Sequence, residues 1–452
     1  MKIIVAGDGK VGSTLTRLLT AEGHDLTVID IDSHVLDRSV ERYDVMAVQG
    51  NSASMKVLQQ AGTEDADLLI AVTNADEVNL LCCMTAHGMN RKLHTIARIR
   101  TPEYLEQTYM MRDIFALSLT VNPEKRAALE IERLLRYPGF LKRDTFAKGR
   151  AEIVELRVEN GSAICDRPLH QLSDLLKCRI LVCAAVRNGS SVTPDGNFVL
   201  RAGDRIFVTA PTDTIATLLK NLGIVTRPVS RVIIFGGGRI SYYLAEKLQK
   251  SGIRVQIIEP DRERCVKLAS LLPKTDVVCG DARDEALLDS EGIDTCDAVV
   301  SCTGLDELNM VLSLYAKEHG VPQIITKVGR IETTSVLGTL PIGSIVCPKD
   351  LSCTAIVRYV RAMQNQSGAA VTIHSIAEGQ AQALEFHVDG SARHCGEPLK
   401  DIKIKANTLI CSITHGAETI IPNGDSQFNV GDIVVVVTNG DFAPLQFNDI
   451  FA

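Results

Sequence analysis

The chain repeats itself. Gly7-x-Gly9-x-x-Gly12 follows an apolar run at the start, and Gly236-x-Gly238-x-x-Ser241 follows Val232-Ile233-Ile234-Phe235 near the middle, an offset of 229 from Gly7 to Gly236. In each copy a carboxylate closes the next apolar run, 18 residues after the third small position: Asp30 in the first and Glu259 in the second. Gly50-Asn51 and Gly280-Asp281 keep the register at 230, as do Thr73, Asp76 and Asn79 with Thr303, Asp306 and Asn309, and Arg98 meets Lys327 at 229. A second kind of unit repeats as well. Cys165-x-x-Pro168-Leu169 matches Cys395-x-x-Pro398-Leu399 at 230, and Gly203-Asp204 matches Gly431-Asp432 at 228. So many co-registered matches make the chain a duplicated pair of units, in the order A1-B1-A2-B2.

Each A unit alternates short β-runs with helical stretches. In A1, Leu15, Leu18 and Leu19 give one apolar helical face after the glycine turn, and Leu68 to Val72 and Thr95 to Ile99 read as strands. That alternation implies βαβ units on a parallel sheet. The B units alternate apolar residues (Val154, Leu156, Val158), then turn at Asn188-Gly189 and Pro194-Asp195-Gly196. The expected fold class is α/β: two doubly wound Rossmann-type parallel-sheet domains, each followed by a small α+β domain. The expected boundaries are 1–123, 141–225, 229–348 and 369–452, with linkers at Arg136–Phe140 and Gln364–Gly368.

Bulk properties narrow the function. The net charge is −7 and no cluster of five or more Lys/Arg occurs, which argues against nucleic acid as the main partner. No apolar run reaches the roughly 18 to 20 residues that span a bilayer, and the chain opens directly on the strand Lys2–Ala6; the expectation is a cytosolic protein. None of the thirteen cysteines forms a C-x-x-C pair, and no His–Cys grouping has zinc spacing. They read as buried thiols, and no metal is expected.

The glycine motif has the context that makes it specific: a strand before, a helix after, an acidic residue at the second strand end. Gly7 allows the tight turn, Gly9 lets the backbone approach a pyrophosphate, and Gly12 lets the helix pack close to the sheet. Lys10 and Val11 fill the first loop, as Arg239 and Ile240 fill the second. The helix N-terminus presents N–H groups to phosphate. Asp30 would accept hydrogen bonds from ribose hydroxyls and repel a 2′-phosphate, favouring NAD or ATP over NADP. Asp76 has two readings, helix cap or ligand contact, and Arg98 has two, phosphate partner or surface ion pair. Asn51 is placed on the adenine side. The second site departs from the first: Ser241 replaces the third glycine, Glu259 is longer by a methylene, and Lys327 lacks the guanidinium fork.

Val5–Gly12, Val28–Asp32, Ala71–Asn79 and Ala97–Arg100 resemble the TrkA family, the tandem RCK (also called KTN) regulatory subunits of bacterial Trk potassium uptake systems. The A units resemble RCK N-terminal domains and the B units RCK C-terminal domains, over essentially the whole chain. The resemblance implies a homotetrameric ring beneath a TrkH- or TrkG-type membrane channel subunit, at the cytoplasmic face, with NAD(H) or ATP/ADP as ligands. Carried over, the first site uses Gly7, Gly9, Gly12, Asp30, Asn51, Thr73, Asp76 and Arg98. The second uses Gly236, Gly238, Glu259, Asp281, Thr303 and Lys327.

Two other readings compete. An NAD-dependent dehydrogenase needs a separate substrate domain and a proton-transfer residue, but the second half copies the first and no histidine repeats at the 229 offset. A nucleotide-responsive regulator of another cation transporter would share every feature above. The expectation is a regulator and not an enzyme.

Overall fold

A computed structural model describes the chain except residues 111, 137–139, 213, 223–227, 330–339, 365–367, 441–443 and 445. The centres of both expected linkers lie outside the described residues.

The first Rossmann unit runs β1 (Lys2–Ala6), α1 (Gly12–Ala21), β2 (Asp25–Asp30), α2 (Ser33–Arg42), β3 (Met46–Gln49), α3 (Met55–Gln60), β4 (Leu68–Ala71), α4 (Asp76–Met89), β5 (His94–Arg98), α5 (Pro102–Met110), α6 (Arg112–Phe115) and β6 (Leu119–Val121). Its strands pair in parallel in the order β3-β2-β1-β4-β5-β6. The order reverses between β1 and β4, and the crevice there, at the carboxyl ends of the strands, is where such sheets bind ligands. Helix α7 (Pro123–Arg136) follows.

The first small unit has β7 (Lys142–Phe146), β8 (Ala151–Arg157), α8 (Leu172–Leu176), β9 (Leu181–Arg187), β10 (Ser190–Val192), β11 (Arg205–Pro211) and α9 (Ile215–Asn221). Its five strands form an antiparallel sheet in the order β10-β9-β11-β8-β7.

The second copy repeats the plan. β12 (Arg231–Phe235), α10 (Arg239–Lys250), β13 (Arg254–Glu259), α11 (Arg262–Leu271), β14 (Thr275–Cys279), α12 (Glu285–Ser290), β15 (Ala298–Ser301), α13 (Asp306–Glu318), β16 (Gln323–Lys327) and β17 (Ser344–Val346) lead to helix α14 (Pro348–Gln364). The parallel order is β14-β13-β12-β15-β16-β17. The last sheet, β18 (Ala370–Ile376), β19 (Ala381–His387), β20 (Thr408–His415), β21 (Glu418–Ile420) and β22 (Ile433–Asn439), is antiparallel in the order β18-β19-β22-β20-β21.

The chain divides into two compact units, and the division does not follow the repeat. One holds Met1–Ala127 with Cys347–Gln364; the other holds Ala128–Val346 with Asn365–Ala452. In the first, Cys353, Ile356, Val357 and Val360 of α14 share one core with Ile3, Val5, Leu15 and Leu19, and Arg361 pairs with Glu22. In the second, the end of α7 meets β16, where Gln323 Nε2 donates to the Leu134 carbonyl at 2.6 Å. The helix that ends each Rossmann sequence is therefore spent on the other copy's sheet.

Within that second unit the two antiparallel sheets pack face to face. Phe146, Cys183 and Phe207 meet Ile376, Cys411 and Val435 in one buried cluster. Strand β8 is consequently buried on both faces, and Glu152 within it is held by an ion pair with Arg143. Buried carboxylates need such partners.

Candidate functional site

The crevice is built on β1. Gly7 has φ +96°, and a Cβ there would stand 2.8 Å from the Thr73 amide nitrogen. A Cβ at Gly12 would stand 1.9 Å from the Gly7 carbonyl oxygen, so α1 lies directly on the turn. Gly9 is different: nothing lies within 4 Å of its Cβ position, and it is exposed. Gly7 and Gly12 are required by packing; at Gly9 the open space before the helix start suits a bulky anion. No side chain caps α1 at Val11. Lys10 is exposed, whereas Val11 and its counterpart Ile240 are buried, so only their backbone can face a ligand.

Asp30 is locked by backbone. Its Oδ2 accepts from the Asp8 amide at 2.7 Å and its Oδ1 from the Asp32 amide at 3.1 Å. Glu259 reproduces this with its longer arm: Oε2 accepts from the Gly237 amide at 2.6 Å and Oε1 from the Asp261 amide at 3.0 Å. Arg264 adds an ion pair at 3.5 Å. Ser241 is fully buried and its hydroxyl donates to the Gly236 carbonyl, which compensates the added side chain at the third small position. Gly238, like Gly9, faces open space, and Arg239 beside it is exposed.

The far wall is a stapled set of loops. Buried Asn79 accepts from the Thr73 amide and hydroxyl at 2.8 and 2.7 Å, and its Nδ2 donates to the Arg98 carbonyl at 2.8 Å. Asn309 does the same with Thr303, at 2.8 and 2.7 Å, and with the Lys327 carbonyl at 3.0 Å. The repeat register marks both asparagines; each joins two strand ends, β4 to β5 in the first copy and β15 to β16 in the second.

Asp76 does not cap α4, whose cap position is Ala75. Its Oδ2 accepts instead from the Arg100 and Thr101 amides at 3.0 and 2.8 Å, in the turn after β5. Arg98 stretches over the end of β4, with Nη1 3.5 Å from the Val72 carbonyl. Arg100 forms an ion pair with Glu124. Lys327 donates to the Thr303 carbonyl at 2.9 Å and pairs with Asp306 at 3.5 Å. At the other end, Asn51 accepts from the Ala53 amide at 3.0 Å, closing a local turn. Asp281 is engaged by Arg283 through side chain and amide, which holds its carboxyl down at about 2. Ile31, directly after Asp30, is 74% exposed; this apolar side chain beside the Asp30 carboxylate is a residue the motif does not single out. Among the described residues, no group of three or more His, Cys, Asp or Glu could hold a metal ion.

The TrkA-N domain family matches residues 3–116 and 232–348, and the TrkA-C domain family matches residues 153–223 and 384–441. The chain is 34% identical over 442 residues to a Trk system potassium uptake protein TrkA homolog of Archaeoglobus fulgidus, covering 98% of each chain. It is 32% identical to the Trk system potassium uptake protein TrkA of Halomonas elongata, covering 96% of this chain and 95% of that one. Among solved structures, the GsuK RCK domain superposes with a TM-score of 0.61 at 17% identity, over 97% of this chain and 92% of that chain. The GsuK channel bound to NAD gives 0.60 at 17% identity, over 97% and 76%.

Proposed function

The chain belongs to the TrkA family, and from that membership we propose how it works as the regulatory subunit of a Trk-type potassium uptake system. The A units are nucleotide sensors, and the observation that carries this reading is the duplicated clamp. In both copies a carboxylate is pinned by the glycine-loop amide beside an open second glycine. The first site takes NAD(H) or ATP/ADP, with Gly9 and the start of α1 toward the phosphates, Asp30 toward the ribose, and Ile31 and Asn51 toward the base. Thr73, Asp76 and Arg98 form the opposite wall. The second site uses Gly236, Gly238, Glu259, Asp281, Thr303 and Lys327 in the same roles. A relative solved with NAD has the same fold, which supports the choice of ligand class.

The reading is of a binding protein and not an enzyme. The polar groups of the crevice are already engaged within the protein: Thr73 by Asn79, Asp76 by two amides, Arg100 by Glu124. No described helix is long and apolar enough to cross a membrane, so ions cross in a partner, of the TrkH or TrkG type, that this chain meets at the cytoplasmic face. The four-domain division at 1–123, 141–225, 229–348 and 369–452 is part of the same reading. Self-assembly into a homotetrameric ring is supported by a feature of both copies. Leu81 and Met84 on α4, and Val311 and Leu314 on α13, expose apolar side chains one helical turn apart at equivalent positions. A ligand shifts such a ring only by its difference in affinity between two states. Potassium flux through the reconstituted membrane partner, with and without each nucleotide, tests the proposal; flux indifferent to nucleotide would refute it.

A further inference from the structure

The second copy carries a pair of thiols that the first lacks. Cys265 lies in the first turn of α11 and Cys279 ends β14. Cys265 Sγ also donates to the Glu259 carbonyl at 3.2 Å, and Glu259 stands opposite Cys279 in the β13–β14 ladder. The two sulfurs thus flank the residue that anchors the second glycine loop. Cys265 is buried and Cys279 is exposed. In the first copy the corresponding places hold Leu36 and Gln49, the latter opposite Asp30.

We propose that Cys265 and Cys279 form a reversible dithiol–disulfide couple that ties oxidation to the second nucleotide site. The oxidant is a low-molecular-weight disulfide of the glutathione class. The exposed Cys279 thiolate attacks one of its sulfurs, the S–S bond breaks, and one thiolate leaves. Cys265, losing its proton, then attacks the Cys279 sulfur and expels the second thiolate. The protein gives up two protons and two electrons, and the small disulfide is reduced to two thiols. Burial, with Cys279 beside it, pushes the Cys265 thiol up to about 11, which suits it to the resolving role and makes the exposed partner the entry point. Once oxidised, Cys265 can no longer donate to the Glu259 carbonyl. A cytosolic disulfide of this kind is transient and regulatory in character.

The coupling to nucleotide rests on the reading of the second site given above; formation of the bond does not, and the experiment separates the two. Full-length protein is equilibrated in oxidised glutathione, alkylated and digested with trypsin. Cleavage leaves Cys265 on the peptide Cys265–Lys267 and Cys279 on Thr275–Arg283, each with one cysteine. The expected result is the two peptides joined by a disulfide, released by dithiothreitol, and absent from Cys279→Ser. Recovery of both peptides alkylated, or of Cys279 only as a glutathione adduct, would overturn the proposal. A second measurement titrates NADH fluorescence in a Gly9→Val background, where the first site is blocked. Oxidation should weaken the remaining binding about two- to tenfold, the worth of one neutral hydrogen bond, and Cys279→Ser should remove the effect. Equal affinity in the linked and reduced proteins would overturn the coupling. Absence of binding in the reduced protein would count against the second site itself, with the cross-link still read by mass.

Discussion

The Asp8 amide donates to Asp30 Oδ2 at 2.7 Å, so the residue that fixes the Asp30 carboxylate also brings a second carboxyl beneath the glycine loop. That carboxyl is 1% exposed and accepts from Ser39 at 2.5 Å and Thr16 at 3.4 Å. Burial pushes its pKa up to about 6 from the ordinary 3.8; the Ser39 hydroxyl opposes this and the charge of Asp30 adds to it.

A pH dependence follows. A carboxyl whose folded pKa is raised stabilises the fold fully below its unfolded value, near pH 4, and that contribution is lost as pH rises through 6. Above pH 7 the ionised Asp8 costs on the order of 1–2 kcal/mol, after discounting for solvent screening. Asp8→Asn keeps the polar shape without the charge. Its urea midpoint should match the parent near pH 4 and exceed it above pH 7; parallel curves across that range would contradict the assignment.

Gly9→Val should abolish binding at the first site while leaving the fold intact, because the new side chain enters space that is open in the protein. Gly12→Val, by contrast, would drive into the Gly7 carbonyl and should fail to fold. Calorimetric titration with NADH, alongside a thermal melt, separates the two. Undiminished affinity in Gly9→Val would remove Gly9 from the phosphate path.

Asp30→Ala should weaken nucleotide binding about ten- to a hundredfold, the loss of roughly 1.5–3 kcal/mol for a hydrogen bond to an ionised group. Glu259→Ala should cost less affinity, because the second copy departs from the full motif at Ser241 and Lys327. Equal losses from the two substitutions would show that the sites are ranked wrongly.

Asn79→Ala should destabilise the first unit by about 1–3 kcal/mol, since it leaves the Thr73 amide and the Arg98 carbonyl without their shared partner. Nucleotide affinity should fall with it although Asn79 is buried and touches no ligand. Asn79→Asp keeps the acceptor for Thr73 but sets a buried carboxylate oxygen against the Arg98 carbonyl, so at neutral pH it should melt no higher than Asn79→Ala; parent-like stability would contradict the role of the donor.

Much of this architecture was written in the register of the repeat. Gly7, Gly12 and Asp30 sit where strand–turn–helix logic puts them, because those positions are dictated by local sterics. What escaped involves partners that no local pattern names. The amphipathic face of α14 says that Ile356 and Val360 must be buried, but not that Leu15 and Leu19 bury them. Alternation in β8 suggests one wet face, yet Glu155 is enclosed because it shares with Ala151 and Ile153 the face that a second sheet covers, and Arg205 neutralises it. Asp76 reads as a helix-start residue, and it serves a turn 24 residues further along.

The exchanged helix has a consequence for the order in which the protein is made. The patch formed by Ile3, Leu15 and Leu19 is closed by residues 353–360, so a ribosome must add about 230 residues beyond β6 before the first sheet can be covered. At roughly 5–20 residues per second that interval is about 10–50 s, long against the folding of a single small domain. The oldest part of the nascent chain therefore closes only after most of the chain has been made, and its greasy side stays available to chaperones, or to the α14 of another growing copy, throughout that time.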